Sequence, residues 1–228
     1  MLDFSSSQGK FGNFLRTLLY RIPYQGYIPI LQGEARGMLW KRSSGDEGYW
    51  LGTYEIWKQK ALSPLLLKGS VLYDIGAYAG FFSLLGCKKG ATVYAFEPEA
   101  HNLELLREHL KKNKCNATVM DFAVSDRDGT EKFEMHESRT SHHLSEKGNI
   151  EVRCRSIDSL VKEIPPPTVI KIDAEGAERK ILIGAKETIT KYKPIILVEG
   201  TKESFEDLLL NYTFTEIHQN EYVCTPSF

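Results

Sequence analysis

From residue 70 onward, short apolar runs closed by glycine or a charged residue alternate with longer stretches whose apolar positions recur at helical spacing. Val71–Ile75, Thr92–Phe96, Ala117–Phe122, Val169–Ile172 and Ile195–Val198 are the runs, and each reads as a strand buried on both faces. Phe81–Lys88, Glu99–Lys114, Asp158–Glu163, Ala177–Lys191 and Glu203–Leu210 read as helices between and after them. In the second of these, Leu103, Leu106 and Leu110 share one face. Strands alternating with such helices predict an α/β chain with a mostly parallel sheet covered on both faces.

The rhythm breaks over residues 125–156, where an Asp128-Gly129 turn signal lies before Lys132–Met135 and Glu151–Cys154 follows. That pattern predicts extra antiparallel strands around the polar loop Glu137–Asn149. At the end, Thr213–His218 and Glu221–Thr225 flank Gln219-Asn220 and read as a closing hairpin. Upstream, Tyr54–Leu67 reads as a helix ending at Gly69, and Pro23–Gly52 as an irregular or short-stranded lead-in. Phe11, Phe14, Leu15, Leu18 and Leu19 predict an amphipathic helix over Phe11–Ile22. Arg16 and Arg21 interrupt it, and it falls short of the ~20 apolar residues of a membrane span. It packs over the main domain or, as the alternative, lies on a membrane surface or a partner helix. The expected division is an extension over residues 1–60 and a domain over 61–228 that contains the 125–156 insertion.

Composition narrows the class. The 228 residues are 42% hydrophobic with a formal net charge of -1, too apolar and too nearly neutral for a disordered chain. The chain lacks the cationic excess of a general polyanion binder, so no nucleic-acid partner is expected. Cys87, Cys115, Cys154 and Cys224 stand 28, 39 and 70 positions apart with no C-x-x-C pair, which predicts no zinc site and no metal. They read as reduced thiols in the core of a cytoplasmic protein without a targeting segment.

The strongest chemical signal is Asp74-Ile75-Gly76-Ala77-Tyr78-Ala79-Gly80, directly after a strand and before a helix. Glycine lets the backbone come close to a ligand, and the helix start offers N–H groups. A dinucleotide site wants G-x-G-x-x-G, and Tyr78 stands where the second glycine would be. A nucleoside without phosphate suits the loop better, with Asp74 meeting a cationic amino group; this favours S-adenosylmethionine over NAD. Glu97 closes the second strand 17 positions after Gly80, placed for both ribose hydroxyls; alone it is also compatible with a surface Glu before a turn.

With these motifs in view, the chain resembles the FkbM-type family of S-adenosylmethionine-dependent methyltransferases over roughly residues 49–200. The likeness rests on Tyr49-Trp50-Leu51-Gly52-Thr53-Tyr54-Glu55, Tyr73-Asp74-Ile75-Gly76-Ala77, Ala95-Phe96-Glu97-Pro98 and Ala123-Val124-Ser125-Asp126. It continues in Ser156-Ile157-Asp158-Ser159-Leu160, Lys171-Ile172-Asp173-Ala174-Glu175-Gly176 and Pro194-Ile195-Ile196-Leu197-Val198-Glu199. The resemblance implies a Rossmann-like class I methyltransferase fold: seven strands, mostly parallel, helices on both faces, and a C-terminal antiparallel hairpin. It implies an acceptor hydroxyl on a glycan or small metabolite. By position, Asp74, Gly76, Ala77, Tyr78 and Gly80 would line the methionine part of the cofactor, and Glu97 with Pro98 the ribose. Asp121 and Phe122 would sit by the adenine, and Glu55 would reach the cofactor if the lead-in folds over it. Tyr78 departs from the Asn common in the family.

Methylating an alcohol calls for a base beside the acceptor. Asp173, ending the fourth strand, and His142-His143 in the polar loop are the candidates. Lys171 lies two residues before Asp173 on the same side of its strand and reads as a catalytic partner or as half of a structural ion pair. Glu199 ends the fifth strand, where it reaches the acceptor or caps a turn; Glu175 and Glu178 open the next helix. A non-catalytic cofactor-binding module with the same fold, and a dehydrogenase, are the rival readings.

Overall fold

Five of the apolar runs build the parallel part of one seven-stranded sheet. The computed structural model describes residues 25–135, 142–144, 150–174 and 176–227, so the expected helix Phe11–Ile22 lies outside the described residues. In chain order the elements are β1 (Tyr27–Pro29), β2 (Leu39–Lys41), α1 (Glu47–Leu51), α2 (Ile56–Leu62), β3 (Val71–Ile75), α3 (Phe81–Lys89), β4 (Thr92–Phe96) and α4 (Ala100–Lys112). Then come β5 (Ala117–Met120), β6 (Ala123–Val124), β7 (Gly129–Met135), β8 (His142–Leu144), β9 (Ile150–Arg155), α5 (Ile157–Leu160) and β10 (Val169–Ile172). The chain ends with α6 (Glu178–Ile183), α7 (Lys186–Tyr192), β11 (Ile195–Glu199), β12 (Tyr212–His218) and β13 (Glu221–Pro226).

The large sheet runs β12-β13-β11-β10-β3-β4-β5, with β13 antiparallel to both neighbours and the others parallel. Strand order reverses between β3 and β10, and the crevice beyond their carboxyl ends is where ligands bind in such sheets. Alternation along the strands divides two cores. Leu72, Val93, Val169 and Leu197 face the lead-in, α3 and α4, whereas Tyr73, Tyr94, Ile170 and Ile196 face the other layer. The lead-in is the β1–β2 hairpin plus α1, and it docks through the buried indole of Trp40, stacked on Tyr49 and His109 at 5.0 and 4.0 Å between ring centres. Asn113, just past α4, clasps β2 by accepting from the Leu39 N–H at 2.7 Å and donating to its carbonyl at 2.8 Å.

A second, four-stranded sheet, β6-β9-β7-β8, joins Ala123–Val124 to the three strands of the 125–156 insertion. β7 pairs antiparallel with β9, and the expected polar loop carries the short strand β8, His142–Leu144, antiparallel to β7.

Four expectations are corrected. The helix over Ala177–Lys191 is two helices, because the Gly184 carbonyl accepts from the Asp158 N–H at 2.8 Å and the Thr188 N–H goes to the Asp158 carboxylate at 2.8 Å, two groups that a continuous helix would join to each other. Glu203–Leu210 forms two short 3₁₀ turns around the fully buried Phe205, whose ring meets Phe214 and Tyr222. The strand expected over Ala117–Phe122 stops at Met120. Finally, Cys87 and Cys115 form a disulfide with Cα atoms 5.8 Å apart, while Cys154 and Cys224 are free and buried. The reading of four reduced thiols falls. Among the described residues no helix is long and apolar enough to cross a membrane.

Candidate active site

The loop after β3 is pinned from both sides. Gly76 and Ala77 donate their N–H groups to the Phe96 carbonyl at 3.1 and 3.0 Å, and Gly80 donates to Ala77 at 2.8 Å. Gly76, at φ 71°, lies so close to the end of β10 that a Cβ there would strike the Asp173 carbonyl oxygen. The Tyr78 N–H goes to Glu97 Oε2 at 2.9 Å. Phosphate cradling needs free loop N–H groups, and those of Gly76, Ala77, Tyr78 and Gly80 are already committed. The dehydrogenase reading loses these four loop donors for a diphosphate.

Glu97, directly after β4, is buried, and its Oε1 accepts from the Glu99 N–H at 3.0 Å and from Asn102 Nδ2 at 3.3 Å. Burial pushes its carboxyl up, and these donors with the Tyr78 N–H oppose the shift. A carboxylate offers about four acceptor sites, so one remains beyond these three donors. A cleft of about 450 Å³ opens here, of a size that holds a nucleoside. Gly76, Ala77, Tyr78, Glu97 and Pro98 line it, with Phe96 and Phe122 giving apolar wall 5.9 Å apart between ring centres. The lead-in closes it with Asp46, Tyr49, Tyr54 and Glu55.

The far end of the cleft is a charge cluster. Lys171, paired in register with Asp74 of β3, is 2% exposed, and its Nζ donates to the Gly76 carbonyl at 2.9 Å. It lies 3.3 Å from Asp74 and 3.6 Å from Asp173. Lys58 of α2, 4% exposed, meets Glu55 at 2.8 Å, Asp173 at 3.1 Å, Glu199 at 3.5 Å and Glu221 at 3.7 Å. Burial alone would lower both ammonium groups, but the facing carboxylates more than offset it and hold both lysines charged. Burial would likewise raise Asp173, yet Lys171 and Lys58 pull it below the ordinary carboxylate range. Glu199 is pushed up to about 7, by burial first and by Asp173 next, against the pull of Lys58.

Of the residues read from sequence, Glu55, Gly76, Ala77, Tyr78, Glu97, Pro98, Phe122, Lys171 and Asp173 converge on this cleft. Asp74 does not reach its wall. It is fully buried beneath the loop, its Oδ2 accepting from Ser83 Oγ at 2.6 Å, and Oδ1 has no hydrogen-bond donor although Lys171 is near. Gly80 starts α3 behind the loop. Asp121 is half exposed outside the cleft, tied to Arg153 at 3.0 Å and Arg107 at 3.7 Å. His142 and His143 have backbone in β8, and their side chains lie outside the described residues, as does Glu175. Glu178 accepts from the Ala174 and Gly176 N–H groups at 3.2 and 3.0 Å, fastening the turn that leads into α6. Lys58 went unread. The signal was there: Lys58 and Leu62, four apart, share the buried stripe of α2, where a lysine needs partners.

The strand order and the crevice at its reversal define a class I methyltransferase fold. The methyltransferase FkbM domain family matches residues 74–222, well over half of the chain, and the chain belongs to it. It is similar to the hexuronic acid methyltransferase AglP of Haloferax volcanii, 28% identical over 131 residues that cover 56% of this chain and 54% of that protein. It is also similar to the 2-O-methyltransferase NoeI of Sinorhizobium fredii, 27% identical over 165 residues, 61% of this chain and 67% of that protein. The chain thus spans about half the length of the first relative and two thirds of the second. Among solved structures, the methyltransferase FkbM of Methylobacillus flagellatus superposes with a TM-score of 0.50 at 19% identity, over 79% of this chain and 55% of that one.

Proposed function

We propose that this protein is an S-adenosylmethionine-dependent methyltransferase that methylates an oxygen of a sugar or glycan. The observation that carries the reading is the cleft itself: the N–H groups of Gly76 to Tyr78 spent on protein acceptors, the Glu97 carboxylate on the wall with an acceptor site to spare, and a carboxylate-rich far end. Such a lining disfavours a diphosphate and suits a sulfonium with an α-ammonium group. Gly76 to Tyr78 would hold the methionine part, Glu97 the ribose, and Phe96 with Phe122 the adenine. When bound, the cofactor supplies an electrophilic methyl group. The chain's own task is then to align the acceptor oxygen and to exclude water. Lys171 and Asp173 hold the floor of the cleft against the loop, and Asp46, Tyr49, Tyr54 and Glu55 bring the lead-in over it as a cover on the catalytic domain. The sugar class follows the AglP name, and the oxygen acceptor follows that of NoeI.

Calorimetry with S-adenosylhomocysteine tests this directly. The wild-type chain binds it, and Glu97→Ala weakens binding tenfold or more, because a ribose contact and the Tyr78 anchor go together. Unchanged affinity in Glu97→Ala removes the ribose assignment.

A further inference from the structure

The carboxylates around the far end of the cleft are not equivalent. Asp74 lies under the floor, and Glu97 already accepts three N–H groups. Asp46 caps α1 through the Gly48 N–H at 2.8 Å. Asp173 is clamped between Lys58 and Lys171, and Glu55 sits 2.8 Å from Lys58. Glu221 accepts from Trp57 Nε1 at 2.8 Å and is absent from the cleft wall. Glu199 differs from all of these. It is on the wall, its side chain is 48% exposed, and its nearest cation is Lys58 at 3.5 Å; among the described residues no donor hydrogen-bonds its carboxylate.

From this geometry we infer that Glu199 is the group that takes the acceptor's proton, and that the acceptor is an uncharged hydroxyl compound. The inference rests on the methyltransferase reading of the cleft. As the acceptor oxygen forms its bond to the methyl carbon, its O–H proton passes to the Glu199 carboxylate. The carbon–sulfur bond breaks with its electron pair on sulfur, and Glu199 later releases the proton to water. The groups facing Glu199 are Asp173 just past β10, Glu55 just before α2, Lys58 on α2 and Glu221 on β13. Three carboxylates against one ammonium leave it basic enough to accept a proton near neutral pH. Asp173, held below the usual range by two lysines, is the poorer base. The same surplus of negative charge repels an acceptor that brings its own carboxylate, such as a uronate, and a uronate carboxylate would need no base at all.

The test uses the full chain saturated with S-adenosylhomocysteine. With Glu side chains ¹³C-labelled at Cδ, one carboxyl resonance titrates with a midpoint near 7 and disappears in Glu199→Gln, which keeps S-adenosylhomocysteine affinity within about threefold. Methyl-labelled S-adenosylmethionine transfers label to neutral methyl hexosides and not to a methyl glucuronide. The rate falls about 100-fold in Glu199→Gln, with partial recovery in Glu199→Asp. No titration near 7, its persistence in Glu199→Gln, undiminished turnover in that variant, or labelling of the glucuronide alone overturns the inference. If no hexoside takes label, the titration decides. Failure to bind S-adenosylhomocysteine strikes instead at the methyltransferase reading.

Discussion

Tyr78 holds a left-handed backbone, φ 49°, which costs a bulky side chain about 1–2 kcal/mol and which Asn tolerates far better. This chain carries that strain with a ring 6.0 Å from that of Tyr49. Tyr78→Asn exchanges that packing for relief of strain, two effects of similar size. Its melting temperature should stay within about 4 °C of wild type, which is about 1 kcal/mol for a chain of this length. S-Adenosylhomocysteine affinity should hold within threefold, because the Tyr78 N–H to Glu97 is a backbone contact. A tenfold loss in calorimetry would mean that the ring itself grips the nucleoside. Residues of this loop were legible because their signal is local: a strand, two glycines and a helix within a dozen positions. Asp74 was legible in type but not in aim, since pairing with Lys171 across the sheet decides that it points under the loop. Lys58 draws its meaning from residues 55, 173, 199 and 221, which only the fold assembles.

Elements were legible where the apolar pattern alone decides them, as in β3, β4 and β10, and illegible where a distant group supplies an end. The N-terminus of α7 shows why. Asp158 of α5 accepts from the Glu187 and Thr188 N–H groups at 3.0 and 2.8 Å, so the second half of the expected long helix gets its cap from 30 residues upstream. Helix α4 makes a comparable long-range link with consequences for pH. His109 Nε2 accepts from the Lys41 N–H at 2.9 Å, while Nδ1 donates to the Ala79 carbonyl at 2.8 Å, joining β2 to the cofactor loop. Accepting from Lys41 requires the neutral ring, whereas the bond to Ala79 survives protonation, and burial pushes the ring's pKa down to about 4. In the unfolded chain His titrates near 6.5, so between these values the unfolded state binds the extra proton. Stability therefore rises with pH across that window, and the His109 contribution is complete above it and lost below about 4. About 3 kcal/mol should disappear between pH 7 and pH 4, read by urea unfolding. His109→Gln should show a correspondingly flatter pH dependence, and an identical slope in that variant would exclude His109 as the cause.

For the whole molecule, the wide separation of the four cysteines in sequence concealed a cross-link. Helices α3 and α4 lie side by side, so that Cys87 near the end of one and Cys115 just past the other meet, half-buried, at the far end of these helices from the cofactor loop. The bond closes a loop with a sequence separation of 28, for which the chain-entropy account gives about 3–4 kcal/mol of stabilisation. That loop contains β4, Glu97 and the whole of α4, so the cross-link steadies the layer that carries Glu97 and the His109 link. Non-reducing peptide mapping should recover Cys87 joined to Cys115, with Cys154 and Cys224 alkylated only after unfolding. Reduction, or the Cys87→Ser and Cys115→Ser pair, should lower the melting temperature by about 10 °C. It should leave S-adenosylhomocysteine affinity nearly unchanged at 25 °C, because neither cysteine lines the cleft. A melting temperature indifferent to reductant, with all four thiols free by mapping, would refute the cross-link and restore the reading of four reduced cysteines.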